Sequence, residues 1–579
     1  MIMFKLFAAL PLARGVIAQS AGTGEKVWAA VAFINHGERT PVIANLRTVL
    51  TPEGAQQMLR QGTAFRARYI PDGVNNSDYQ SIQIAYLQNL KPDVIDNDDI
   101  DIITQTDEWV STGALAFMQG FYPPSPNAFD NSTGGEEIAV NLASSDNKTE
   151  YPLDGYQYPS IRAPGYYDPE STACSAWQTE ITTNLTQETG LDELYDSTLP
   201  FYQNLFSTAP LDGTIDIDYA NLWNAYQLWE FVDYQYRHNE TVHEGLNNAN
   251  STLSFLNTYA LSMERAQNSY RGSDDDSELG SLYSVAGRTM AYKVASQFKS
   301  NIRWGSSYNK LTLMFGSLDP IVSFIQLSGL VTQDNMFQAP WSTLPKPGAA
   351  LVFELFGEDP DDPDKQPATD SLRVRMSYRA SADPDESFQN QPIFKSGPDG
   401  IAYSSFIQTM KNLGISPNQW CDVCSPTPAP WCITIDSDSS NWGDDSSIGP
   451  VIAGVIGAII AIAVLGVLLL CLCVCGGLRL RRKGPEDSTH SGAAVGGTTG
   501  GFKGPEKKDG DADVVVTKQG IHHERVGSWE LRSPSEIPPQ TSGIVTKDMG
   551  SPPQRRSLDD SDDDISVMNA APVKARESV

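Results

Sequence analysis

NHGERTP, residues 35 to 41, ends an apolar run and sets two groups three residues apart, His36 and Arg39. An imidazole can attack a phosphorus atom while a neighbouring guanidinium holds the phosphate oxygens. A lone histidine in such a place is also read as a buried, hydrogen-bonded core residue, so the pair by itself is a weak signal. Asn35 stands where a phosphate-handling loop would call for another cation.

The elements around the loop are legible. VWAAVAFINHGERTP begins as a β-rich apolar run that stops at His36-Gly37, which puts the histidine on the loop leaving a buried strand. LTPEGAQQMLRQGTAFRARYI then reads as a helix, with Thr51 as N-cap and Pro52 at the first helical position. IDIITQTDEWVSTGALAFMQGFYPP repeats strand, loop and helix, with the strand near Asp101 to Thr104. From about 129 to 275 the chain is polar and aromatic-rich with helical segments such as LWNAYQLWEFVDYQYR, read as an inserted helical subdomain. Helix AGRTMAYKVASQFKSNI, strand KLTLMFG, helix IVSFIQLSGL and strands AALVFELF and LRVRMSY follow. The expected fold class is α/β, a three-layer mixed or parallel sheet core with a mainly helical inserted subdomain, plus one C-terminal transmembrane helix.

The two ends set the compartment. MIMFKLFAALPLARGVIAQS, with Lys5, an apolar run and a Val-Ile-Ala exit, reads as a signal peptide over 1–18. Val451 to Cys475 is a run of 25 residues without a charge, long enough to cross a hydrocarbon core of about 30 Å as a helix. Arg479, Arg481, Arg482 and Lys483 follow it, the basic flank of a cytoplasmic side. The expectation is a type I single-pass membrane protein of the secretory pathway, at the cell surface or a vacuole. Its ectodomain would span 19–425, a stalk 426–450, and a disordered tail 476–579 that could meet cytoplasmic partners. Within that tail, RRSLDDSDDD offers Ser557 and Ser561 to kinases or is simply a solvated charge run.

Sequons at Asn75, Asn131, Asn147, Asn184, Asn239 and Asn250 all precede the apolar stretch, as lumenal glycosylation requires. Cys174, Cys421, Cys424 and Cys432 lie on the same side and suggest two disulfides, with the pairing open. CDVC could be half of a metal site, but no second Cys or His pair lies near it, so neither metal nor cofactor is expected. The formal charge of −30 argues against nucleic acid as a partner.

NHGERTP, LTPEGAQQMLRQGTAFRARY, LTLMFGSLDPIVSFIQLSGL and LVFELF stand in an order and spacing that resemble the histidine acid phosphatases, of the phosphoglycerate mutase-like fold, from about Lys26 to Cys424. The resemblance implies an α/β core with a helical insertion and hydrolysis of phosphomonoesters, phytate included, through a phosphohistidine. It makes His36 the nucleophile, Arg39 a phosphate clamp and Asp319 the proton donor. It places Asn35 at the position of the family's first arginine, where the amide could still donate one neutral hydrogen bond to a substrate, and it makes Val110, at a second phosphate-binding arginine, and Leu318, at the histidine of a His-Asp pair, degenerate positions. His238 and His243, close to Asn239, read as solvated surface residues.

Phosphoryl transfer is mostly positioning and electrostatic stabilisation. If a charged hydrogen bond contributes roughly 1.5 to 3 kcal/mol, three absent ones remove about 4 to 9 kcal/mol, or roughly three to six powers of ten in rate. The expectation is a pseudophosphatase with weak or absent activity, serving as a surface binding or sensing module for a phosphomonoester or other small anion. The alternative is a divergent, active acid phosphatase. A purely structural wall or adhesion protein ranks last.

Overall fold

The computed structural model describes residues 26–43, 47–71, 74, 77–125, 139–144, 149, 151–165, 169–269, 282–358, 362, 365–424 and 432, together with 514–517 and 520–523. The expected signal peptide, the transmembrane helix and, save for Cys432, the stalk lie outside the described residues, as do Asn75, Asn131 and Asn147. Among the described residues no helix is long and apolar enough to cross a membrane.

The chain divides into two units, Met1–Ile460 and Ala461–Val579. In the second, Val514–Thr517 pairs antiparallel with Gly520–His523. Val514–Thr517 is four consecutive β-branched residues, which carry strand propensity that an average over the expected tail hides; beyond these two strands that tail, Ser557 and Ser561 included, lies outside the described residues.

The first unit is built on a mixed sheet. Strands β1 (Lys26–Asn35), β2 (Ile100–Thr104), β3 (Ile161–Arg162), β4 (Leu311–Gly316), β5 (Ala350–Gly357), β6 (Arg373–Arg379), β7 (Gln389–Gln391) and β8 (Ile401–Ala402) run in the order β3-β2-β4-β1-β5-β6-β7, with β8 beside β6. β3, β2, β4 and β1 are parallel, with Asn35 opposite Gly316. β5 turns antiparallel to β1, and β6 to β5. β1 is buried from Val27 onward because both its faces are covered.

Alternate β1 residues feed two cores. Ala30, Ala32 and Ile34 pack with helices α1 (Pro52–Tyr69) and α2 (Glu108–Phe121). Ala29, Val31 and Phe33 pack on the other face, among Phe298, Phe324 and Phe406, and Trp28 joins them where the register shifts between Val27 and Ala29. α1 and α2 cross at glycines: a Cβ on Gly62 would stand 1.9 Å from the Phe117 carbonyl oxygen, and one on Gly120 2.0 Å from that of Leu59.

Helical elements fill the described part of the stretch read as an insertion, whose expected edges near 129 and 275 lie outside the described residues. Helices α3 (Ser175–Thr183), α4 (Thr189–Phe206), α5 (Ala225–His238) and α6 (Ala249–Gln267) share a core of Tyr202, Phe206, Leu228 and Leu256. Helices α7 (Val285–Arg303), α8 (Asp319–Leu327), α9 (Tyr403–Leu413) and α10 (Pro417–Cys424) complete the unit. The four cysteines pair as Cys174–Cys424 and Cys421–Cys432. The first bridge ties the residue before α3 to the end of α10. Asn184, Asn239 and Asn250 are exposed, as glycan acceptors must be.

One charge lies deep between the sheet and α1. Glu354, on β5, is fully buried and accepts from Arg68 Nε (2.6 Å) and Nη2 (3.0 Å), Tyr69 Oη (2.8 Å) and Arg375 Nε (2.7 Å). Burial alone would raise its pKa, but Arg68 and then Arg375 overcome that and hold it at about 2, against an ordinary 4.5. The folded value is the lower one, so the stabilisation is present above pH 4.5 and is lost as pH falls from there through about 2. Glu354→Gln strands two arginines against the sheet. We expect it to cost about 3–5 kcal/mol, measured by urea unfolding at neutral pH; an unchanged midpoint would show that the cluster does not hold α1 in place.

Candidate functional site

Loops at the carboxyl ends of β1, β2 and β4 meet where α/β sheets place their ligands. The His36 amide donates to the Gly316 carbonyl (2.9 Å) and the Asn35 amide to that of Ala349 (2.8 Å), so the loop is pinned on both sides. The Gln105 side chain, just past β2, accepts from the Ser317 amide at 2.8 Å. α1 closes the loop from below. A Cβ on Gly37 would lie 2.4 Å from the Gly54 carbonyl oxygen, and one on Gly54 2.0 Å from that of Glu38. Only glycine at both positions allows this approach.

His36 is buried, with Nδ1 2.7 Å from the carbonyl oxygen of Gly37. A carbonyl only accepts, so Nδ1 carries the proton and the lone pair sits on Nε2. Burial first, and the Arg39 charge second, bring the pKa down to about 3. The ring is neutral and held in one orientation.

The other expected groups depart from the pattern of a phosphate site. Asn35 was expected to donate to a substrate. Its amide nitrogen instead donates to the carbonyls of Lys346 (3.0 Å) and Pro345 (3.3 Å), leaving Oδ1 buried without a partner. Arg39 reaches Glu230 of α5, Nε to Oε1 at 3.1 Å, and lies over the Trp109 ring at 4.9 Å. Val110 does not stand at the site: the first turn of α2 directs it into the apolar core and leaves its neighbour Trp109 facing Arg39. Leu318 lines the site and packs into the core of the insertion.

Asp319, the expected proton donor, is buried. Its carboxylate accepts from the Ser171 amide (2.7 Å) and the Ser317 hydroxyl. Burial raises its pKa, and nearby Glu264 is pushed up to about 8 by burial and then by the Asp319 charge. Of this turn, Leu318 lines the cavity at His36 and Asp319 is not among the described residues that do.

Helix α5 supplies groups that the sequence did not single out. Arg237 binds Glu38 (Nη1 to Oε2, 2.6 Å) and Asp233, and His238 Nε2 lies 2.8 Å from Glu38 Oε1. His238 is therefore a partner of the loop and not only a solvated residue, whereas His243 stacks on Tyr236, exposed. Trp229, Asp233 and Arg237 recur at fourfold spacing, which puts them on one helix face; that spacing was readable, but the surface it covers was not. The cavity they enclose with His36, Arg39, Glu230 and Leu318 measures about 40 Å³, room for on the order of three waters. Beyond Trp229, Asp233 and Arg237 lies a cleft of about 520 Å³. It carries Arg60, Arg237 and Lys346 against Glu53, Asp233 and Asp383. Arg60 pairs with Glu53 at 2.7 Å, and Lys346 stands 3.9 Å from Asp383.

The model of the histidine phosphatase superfamily (branch 2) matches residues 32–379. Among solved structures, the apo form of Hafnia alvei phytase is similar at 14% identity, covering 70% of this chain and 99% of its own, with a TM-score of 0.44. The phytase of Citrobacter braakii is 13% identical over 69% of this chain and 100% of its own, TM-score 0.42. A multiple inositol polyphosphate phosphatase of Bifidobacterium longum, in complex with inositol hexasulfate, is 13% identical over 67% and 91%, TM-score 0.36. No curated protein matches this chain.

The folded pKa of His36 lies below its ordinary 6.5, so protonation favours the unfolded chain: the neutral ring's contribution is whole above pH 6.5 and declines from there towards 3. We expect imidazole NMR signals of His36, assigned by their loss in His36→Ala, to stay unmoved from about pH 7 to about pH 4. A midpoint near the ordinary value would place the ring in water.

Proposed function

Because the chain belongs to branch 2 of the histidine phosphatase superfamily, we propose that it is a histidine-acid-phosphatase-like single-pass membrane protein. In this reading its activity toward phosphomonoesters is weak or absent, and the His36 cavity is a binding or sensing site at the cell surface or in a vacuole, with the tail left for cytoplasmic partners. The observation that carries it is the charge of the cavity wall. Arg39 and Arg237 stand against Glu38, Glu230 and Asp233, with His36 neutral, which leaves a formal charge of −1. Asn35 lines the cavity but commits its amide nitrogen to the carbonyls of Lys346 and Pro345, so it does not offer a phosphate oxygen a donor.

A phosphate dianion entering this space would meet like charge, and desolvating it without partners is costly. The larger cleft supports the same view for polyphosphates, because its three cations are matched by three carboxylates. One observation favours the second reading, a divergent acid phosphatase. The Nδ1 bond to Gly37 leaves Nε2 of His36 free to attack, with Arg39 to hold the phosphate and Asp319 to protonate the leaving group.

Hydrolysis of a phosphomonoester by the full-length chain from about pH 3 to 7 separates the two. We expect parent and His36→Ala proteins to be indistinguishable. Turnover lost in the variant would establish the second reading and sink the first. Retention in the membrane pellet after alkaline carbonate washing is expected of the anchor; release to the supernatant would remove it.

A further inference from the structure

Glu230 is placed as a bound anion would be. Its carboxylate forms an ion pair with the Arg39 guanidinium, 3.1 Å from Nε, accepts from Arg39 Nη2 at 3.4 Å and from the amide of Val42, and lines the cavity that holds His36. It comes from α5, an element of the insertion and not of the sheet loops, so its charge is delivered across the mouth of the site. Both partners of the ion pair are about nine-tenths buried, with side-chain exposures of 10% and 11%. A cation buried to that degree needs a counter-charge. In a site that waits for an oxyanion the ligand supplies it; here the chain does.

We propose that Glu230 is the specificity-determining residue of the His36 site, an internal carboxylate that occupies the anion position on Arg39 and excludes single tetrahedral oxyanions such as phosphate. The inference rests on the reading that the site, as it stands, handles phosphate poorly, and it assigns that weakness to one side chain. The other carboxylates of the wall do not share the role. Glu38 is bound to Arg237, His238 and Thr51, and Asp233 to Arg237. Arg39 is thus the cation that loss of the Glu230 charge would release, and the wall's formal charge would rise from −1 to zero. The adjoining cleft, which shares Trp229, Asp233 and Arg237 with the cavity, gives an anion a way in.

The test is calorimetric titration of inorganic phosphate into the full-length chain in detergent, comparing the parent with Glu230→Gln, Glu230→Ala and Arg39→Ala/Glu230→Ala. Glu230→Gln removes charge at nearly constant volume; Glu230→Ala also removes bulk from a small cavity. We expect both single variants to bind phosphate about tenfold or more tighter than the parent, and the double variant to lose the gain. Unchanged affinity in a Glu230→Gln protein with parental circular dichroism and melting would overturn the inference. So would a gain that persists without Arg39. If Glu230→Ala does not fold, Glu230→Gln keeps the packing and decides alone. His36-dependent turnover by the parent would refute the proposed function whatever these titrations give, whereas a missing gain would refute only the role of Glu230.

Discussion

The site depends on where α1 stands, and α1 is held at its far end by a buried carboxylate. Glu354 gathers Arg68 and Tyr69 from the last turns of α1 and Arg375 from the next strand, with every donor aimed at one of its two oxygens. A charge removed from water survives only with such saturation. At the near end Thr51 caps the helix, accepting from the Gly54 amide at 3.0 Å. The paired glycines at 37 and 54 let that first turn press on the loop. The distance from Glu354 to the loop is bridged by a rigid helix, so the polar cluster and the glycine contact together set the backbone on which His36 sits.

From that backbone two properties of the site follow separately. The direction of His36 is set by main-chain carbonyls, those of Gly37 and Gly316, and needs no anion to maintain it. The charge around it is set by side chains from α5, which reach across from a different core. The insertion is fastened to the sheet unit through Leu318, through the Cys174–Cys424 bridge, and through the Ser171 amide on Asp319. The residue that stands where the resemblance places a histidine therefore serves as an apolar anchor for the helix that brings the carboxylates.

Much of this was legible in the sequence, and the failures have physical reasons. Strand β1 and helix α1 were plain because both carry strong local signals, continuous apolar burial in one and a capped proline start in the other. The helical character of the segment between β3 and β4 followed from its composition. Val110 was misplaced because a motif alignment gives a position along the chain and not a helix phase, and one residue along α2 is a turn of 100°. Asn35 was assigned a donor role by its type, yet which end of an amide faces a ligand depends on carbonyls more than 300 residues away in sequence. Glu230 and Arg237 had no local motif, since their meaning comes only from the loop they cover.

The combination of an oriented, neutral histidine with a charge-paired arginine is physically consistent. A histidine held neutral by burial needs no counter-charge, and its orientation is a by-product of strand register. An arginine there is different: unpaired, it would be a buried charge with no compensation, so any chain that keeps Arg39 without a resident anion must supply a carboxylate. Retaining His36 and Arg39 therefore does not by itself imply phosphate chemistry. The group that discriminates is the third one, the anion that Arg39 holds, and in this fold it is provided by the helix least constrained by the sheet. The fold and the orientation of His36 can persist on backbone geometry alone, while what the site accepts is decided by one side chain of α5.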